Sequence, residues 1–238
     1  MNQSWSFVIF GYNESKTLPK VLNDIIEFCL KKNIIDRELI IVDDGSTDDT
    51  RKIAESFIFG NKDVIYLKHE TNLGIGPALI KGYLNASKEN VIAVPADAQF
   101  DIFELADSIN FPEKSYLSFY RLQRKSYTSF RNLISDINGF INRKFLYLNV
   151  RDVNWVKAYK SVDLKSLDLK IKSSLVCSEI CAKLNLKGFS AKEIVSVYHE
   201  RTAGISKGAS FKTLYSAVKD IVGLINVIRE YKNKIQAS

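Results

Sequence analysis

The sequence predicts an α/β fold in which a mostly parallel central sheet is covered by helices on both faces. Three observations carry that reading. Short, β-branched, apolar runs alternate with helical patterns through the first half of the chain, as strands of a doubly covered parallel sheet do. Polar clusters, "GYNES", "DDGSTDDT" and "ADAQFD", follow the ends of those runs, where ligands bind in sheets of this kind. No repeat, low-complexity tract or clear linker interrupts the 238 residues, and only 4 are proline, so one continuous domain over 1–238 is expected.

The strands of the first half are "WSFVIF" (5–10), "ELIIVDD" (38–44), "DVIYLKH" (63–69) and "NVIAVPA" (90–96), with helices near 17–32, 48–58 and 76–87 between them. The second half is less regular. "KSYLSFYR" (114–121) reads as a further strand, and 126–148 as one or two helices mixing aromatics, aliphatics and Arg. "WVKAYKSVDL" and "GFSAKEIVSVYHER" supply later strands on either side of a helix at about 173–186. In the last segment, 210–231, Phe211, Leu214, Tyr215, Val218, Ile221, Val222, Ile225 and Ile228 fall on one helical face.

With 46% hydrophobic and 26% charged residues, and a formal net charge of +7, the composition is that of a globular chain with a sizeable core. The basic excess favours an anionic partner, whether phosphates, nucleic acid or an acidic membrane face, without choosing among them. Three cysteines cannot all pair and read as reduced core thiols. The start lacks a basic region followed by a long apolar run, and no run is long enough to span a bilayer. A cytoplasmic chain, with peripheral contact at the membrane face, is expected.

The strand-end clusters carry the candidate chemistry. In "DDGSTDDT", Gly45 permits a tight turn and Ser46 or Thr47 is placed to cap the next helix. Asp48 and Asp49 suit a helix start, whereas Asp43 and Asp44 precede it and are placed for a ribose or base. In "FGYNES", Asn13 or Ser15 suits a cap, and Glu14 faces the same crevice as Asp44. "NLGIGPALIKG" has glycines before a helix but neither the Walker nor the dinucleotide spacing. In "PADAQFD", Asp97 and Gln99, alternate residues of an extended chain, are expected to aim at one hard divalent cation, while Asp101 caps the following helix. "YHERTAGISKG" brings Arg201, Ser206 and Lys207 together in a Gly-punctuated stretch suited to a lid over phosphates. His199 reads as structural.

In their order, "YNE", "VDDGSTDDT", "NLGIGPALIKG", "ADAQ", a strand ending in Arg121 and "HERTAGISK" resemble glycosyltransferase family 2, with its GT-A, Rossmann-like fold. The last stretch matches that family's R-x-x-G-x-S-K, and the pattern is similar to the dolichol-phosphate mannose synthase and polyprenyl-phosphate branch. "VRDVNWVKAYKSVDLKSL" resembles the D…GFKxxxR segment of that branch, with Trp155 in place of Gly and Lys160 near the Arg. The resemblance implies that 1–110 is a nucleotide-sugar-binding half and 111–238 an acceptor-binding half. It places Tyr12 and Glu14 beside the base, Val42 and Asp44 at the base or ribose, and Ala96 and Asp97 at ribose and diphosphate. Asp97 and Gln99 match the ligands of Mg²⁺ or Mn²⁺. Arg121, Arg201 and Lys207 match diphosphate contacts, and Arg121, Arg131 and Ser206 acceptor-phosphate contacts. Asp97, Arg121 and Arg201 would carry catalysis.

The implied reaction is inverting transfer of a sugar from a nucleoside-diphosphate sugar, rather than any nucleic-acid transaction. A polyprenyl phosphate acceptor is already anionic, its second pKa being about 6, so no general base is needed. A hydroxyl acceptor, as in surface polysaccharide or glycolipid synthesis, would need one, with Asp152 or Glu179 as the suspects. A catalytically silent nucleotide-sugar-binding protein is the third reading, raised by Pro95 standing where an Asp is usual.

Overall fold

A computed structural model describes residues 3–59, 61–121, 142–197, 199 and 211–237, with side chains of the last helix from residue 219 onward. Seven strands form one sheet in the order β3-β2-β1-β4-β6-β5-β7. They are β1 (Trp5–Gly11), β2 (Arg37–Asp43), β3 (Val64–Lys68), β4 (Asn90–Pro95), β5 (Ser115–Arg121), β6 (Lys157–Lys160) and β7 (Ser190–Ser196). The helices are α1 (Leu18–Lys31), α2 (Thr50–Ile58), α3 (Ile75–Asn85), α4 (Ser161–Lys165), α5 (Val176–Leu186) and α6 (Phe211–Gln236). Pairing is parallel for β1 with β2 and β4, for β2 with β3 and for β5 with β7. The exception is β6, antiparallel to both β4 and β5.

β1 is central, and its side chains are buried on both faces. Phe7 and Ile9 join a core with Leu22, Ile25 and Phe28 of α1. Val8 joins another with Ala78, Leu79 and Tyr83 of α3 and Val176 and Ile180 of α5. The helices therefore cover both faces, as the alternating pattern requires. α1 shows the i, i+3, i+4 stripe plainly: Leu18, Val21, Leu22, Ile25, Phe28 and Cys29 are its buried residues.

Two expected elements come out differently. The strand foreseen over 155–164 is only four residues long, because Lys160 pairs with Asn90, the first residue of β4. Beyond that point the Ser161 amide still donates to the Glu89 carbonyl (2.8 Å), and the chain turns there into α4. The last helix extends to Gln236. Ile225 and Ile228, read on the apolar face, do pack on the core, joined by Leu224, whereas Val222, read on the same face, is exposed. Among the described residues, no helix is long and apolar enough to cross a membrane.

Candidate active site

The loops after β1 and β2 are bonded to each other side chain to backbone. Ser46 Oγ accepts from the Asn13 amide (2.9 Å), and Asn13 Oδ1 accepts from the Thr47 amide (2.8 Å). Thr50 Oγ1 accepts from the Glu14 amide (3.0 Å), and Asp48 Oδ2 from that of Ser15 (3.1 Å). Asn13 reaches this geometry with φ 57°, a left-handed conformation that Asn tolerates. Ser46 and Thr47 thus do not cap α2, nor Asn13 and Ser15 α1: their polar atoms join the two loops. Asp48 serves the start of α2 instead, accepting from the Thr50 amide (3.0 Å). Burial pushes the Asp48 carboxyl up, but the bonds from Thr50 and Ser15 outweigh it and hold it below its usual value.

The two aspartates before Gly45 divide the work. Asp43 closes the turn, accepting from the Ser46 amide (2.8 Å) and the Tyr66 hydroxyl (2.7 Å). Asp44 is buried and anchors the next loop, accepting from the amides of Leu73 (3.0 Å) and Gly74 (2.7 Å) while pairing with His69 Nδ1 (2.8 Å). His69 was missed in the sequence. Its signal lay in the register: Asp43 is level with Lys68 on β3, which sets the next residues, Asp44 and His69, side by side. Gly45, at φ 77°, lies so close to this loop that a Cβ there would fall 2.5 Å from the Thr71 carbonyl carbon. Gly45→Ala is expected to cost about 2–4 kcal/mol, combining left-handed strain with overpacking. Urea denaturation measures it.

A cavity of about 640 Å³ opens where β1, β2 and β4 end, and Tyr12, Glu14, Asp44, Ala96 and Asp97 all line it. Glu14 is steadied by the Thr17 hydroxyl, which donates to its carboxylate (2.9 Å). Gly11 allows the crevice to be this narrow, since a Cβ there would lie 2.8 Å from that of Ala96. Asn72, Gly74 and Ile75 close one side, and Asn154, Trp155 and Lys157 the other. Val42 is fully buried within the core and does not line the cavity. Neither Gln99 nor Arg121 is among its lining residues.

The stretch after β4 is a turn, not the extended chain expected from the sequence. Ala98 has φ 58°, and the Gln99 amide donates to Asp97 Oδ1 (3.1 Å). Alternation therefore does not aim Asp97 and Gln99 together. Asp97 opens on the cavity, while Gln99 Nε2 donates to the His199 carbonyl (3.3 Å) and the His199 amide to the Gln99 carbonyl (3.4 Å). Asp101 caps the 3₁₀ turn Ile102–Leu105, accepting from the Phe103 amide (2.9 Å), as expected. Among the described residues no group of three His, Cys, Asp or Glu is gathered for a metal. One carboxylate and one side-chain amide remain, hard oxygen donors of a type that fits Mg²⁺ or Mn²⁺ when substrate phosphates complete the shell.

At the end of β5, Arg121 makes a bidentate pair with Asp152, Nε to Oδ2 at 2.7 Å and Nη2 to Oδ1 at 3.2 Å. Its guanidinium also lies 4.4 Å from the Trp155 ring centroid, and Trp155 Nε1 donates to Ser196 Oγ (2.8 Å). Glu179, the other base suspect, is fully buried away from the cavity. It pairs with Lys183 (2.6 Å) and accepts from the amides of Lys170 and Ile171, so it is a core anchor. Arg131, Arg201, Ser206 and Lys207 lie outside the described residues.

All three cysteines are thiols. Burial pushes Cys29 up to about 12, and Cys177, which lines the cavity, up to about 11, with Lys157 pulling the latter back. Below those values each stays protonated. Iodoacetamide labelling at pH 7.5, read by mass spectrometry, is expected to be about 100-fold slower at Cys177 than at an ordinary thiol of pKa about 8.5.

The model of glycosyl transferase family 2 matches residues 6–161, a stretch that includes every strand end described above except that of β7. The chain belongs to glycosyltransferase family 2. Among curated members, a dolichyl-phosphate beta-glucosyltransferase of Trichomonas vaginalis is 33% identical over 96 residues, covering 39% of this chain and 29% of that one. The match thus spans under a third of that relative. A polyprenol monophosphomannose synthase of Mycolicibacterium smegmatis is 24% identical over 217 residues, 84% of this chain and 79% of that one. Among solved structures, glucosyl-3-phosphoglycerate synthase from Mycobacterium tuberculosis, in complex with Mn²⁺, UDP-glucose and phosphoglyceric acid, superposes with a TM-score of 0.69. It is 16% identical and covers 95% of this chain and 79% of that one. That likeness shows the GT-A type of fold for this family 2 domain.

Proposed function

We propose that this domain transfers a sugar, with inversion, from a nucleoside-diphosphate sugar to a polyprenyl phosphate. One observation carries the reading: Tyr12, Glu14, Asp44, Ala96 and Asp97, from three separate loops, line a single cavity at the carboxyl ends of the parallel strands. Such a cavity suits a nucleotide. Tyr12, Glu14 and Asp44 would meet base and ribose; Asp97 would hold a divalent cation at the diphosphate, and Gln99 would join it by turning its carboxamide from the His199 carbonyl. That cation, when bound, supplies charge where the leaving group develops it. Arg121, with Arg201 and Lys207, would bind the same phosphates, and Arg131 and Ser206 the acceptor's.

The names of the two curated relatives above, a dolichyl-phosphate beta-glucosyltransferase and a polyprenol monophosphomannose synthase, support that acceptor class. So does the fate of the suspected bases. Glu179 is sealed in the core, and both Asp152 oxygens are bonded to Arg121, an arrangement better suited to an acceptor that arrives already ionised. Thermal-shift screening of nucleotide sugars with Mn²⁺ or Mg²⁺, followed by transfer assays with polyprenyl phosphate against water-soluble acceptors, tests the reading. Sugar transferred only to the hydroxyl acceptors would overturn the acceptor assignment, and no donor binding would overturn the function itself.

A further inference from the structure

We propose that Lys157 is a substrate-binding cation: the ammonium of this cavity-lining residue receives a phosphate oxyanion of the donor or of the acceptor. The inference rests on the transferase reading above and adds to it a residue that the family's motif contacts did not assign. Lys157 opens β6 and lines the cavity together with Asp97 and Asn154. It is the one basic side chain among the described lining residues.

The comparison that decides its role is with the other buried lysines. Lys183, 2% exposed, pairs with Glu179 at 2.6 Å, and Lys160, 3% exposed, with Glu89 at 2.8 Å. Lys157 is equally buried, at 2%, yet among the described residues no carboxylate lies within 4.0 Å of it. Its Nζ donates instead to the carbonyls of Asp152 (2.7 Å) and Trp155 (3.2 Å). An ammonium has three donors, so two neutral acceptors leave both a donor and a full charge unmatched. A buried charge without a counter-charge is costly. Lys157 lines the cavity, and an incoming phosphate would supply both the missing acceptor and the opposite charge. The two carbonyl bonds also hold the 152–155 turn, which presents Asp152 and Trp155 to Arg121.

The experiment compares wild type with Lys157→Met and Lys157→Arg, after melting temperatures show that each is folded. Calorimetry with Mg²⁺ present measures UDP and GDP against uridine and guanosine, and farnesyl phosphate against farnesol. Lys157→Met is expected to weaken the phosphate-bearing probe by about 10- to 100-fold and leave its dephosphorylated counterpart unchanged. Lys157→Arg, keeping the charge, should stay within a few-fold. Loss on the nucleotide arm assigns Lys157 to the donor, and loss on the farnesyl arm to the acceptor. Unchanged affinity on both arms overturns the proposal. If Lys157→Met does not fold, Lys157→Gln, which keeps an N–H for the carbonyls, replaces it. Calorimetry of wild type and Lys157→Met with inorganic diphosphate gives an independent reading, with the variant expected to bind it about 10-fold more weakly. Wild-type binding of inorganic diphosphate without nucleotide binding would keep the anion site and sink the nucleotide reading, whereas equal diphosphate affinity in wild type and Lys157→Met would sink the Lys157 assignment alone.

Discussion

Asp97→Ala is expected to lower sugar transfer by about 10²- to 10³-fold, the scale seen when one group that stabilises developing charge is removed, with little loss of fold. Asp97 lies just past β4, only partly buried, and its carboxylate accepts from the Gln99 amide (3.1 Å). Losing such a bond costs about 0.5–1.5 kcal/mol, or a few degrees in melting temperature for a chain of this size. The chemical loss is larger. Pro95, at the end of β4 just before Ala96 and Asp97, carries no carboxylate, so Asp97 is the one acidic side chain that the "PADAQ" segment brings to the cavity. Asp97→Asn keeps the shape and an oxygen but not the charge, and should fall between. Mn²⁺ titration followed by electron paramagnetic resonance, in the presence of nucleoside diphosphate, separates loss of metal from loss of donor. Near-normal turnover in Asp97→Ala would remove the metal assignment.

How much of this was legible in the sequence depended on whether the physics was local. β1 to β5 fell within a residue or two of where their apolar runs placed them, because a buried parallel strand writes its own pattern. The grouping of Tyr12, Glu14, Asp44 and Asp97 was legible for a related reason: each follows a strand, and parallel strands bring their carboxyl ends to one edge. What stayed hidden was pairwise. Whether Ser46 caps a helix or bonds to Asn13 is decided by a loop 33 residues away. The end of β6 is set by where β4 begins, not by anything within "WVKAYKSVDL". Ala98 in a left-handed conformation breaks the alternation on which the reading of Asp97 with Gln99 depended. Lys157 looked like one more lysine until its burial and its missing carboxylate could be compared with Lys160 and Lys183.

The largest expected loss of stability follows from Arg121→Ala. Asp152 is 6% exposed in its side chain and receives both of its carboxylate bonds from Arg121, itself 20% exposed. Removing one partner of a buried pair costs about 3–5 kcal/mol, because the other charge is left uncompensated. The lost stacking on Trp155 adds roughly 0.5–2 kcal/mol. Calorimetric melting should therefore drop by roughly 10 °C or more. Asp152→Ala should cost less, since Arg121 retains Trp155 and some water. Arg121→Lys will not rescue, because an ammonium can neither fork onto both oxygens nor stack. The double variant Arg121→Ala/Asp152→Ala, which buries no orphan charge, should recover part of the loss, and the cycle gives the coupling directly. The same cycle tests the proposed contact with phosphate. If Arg121 serves only to hold Asp152 and Trp155, nucleoside-diphosphate affinity will return with stability in the double variant. If Arg121 also touches the diphosphate, stability will recover and affinity will not.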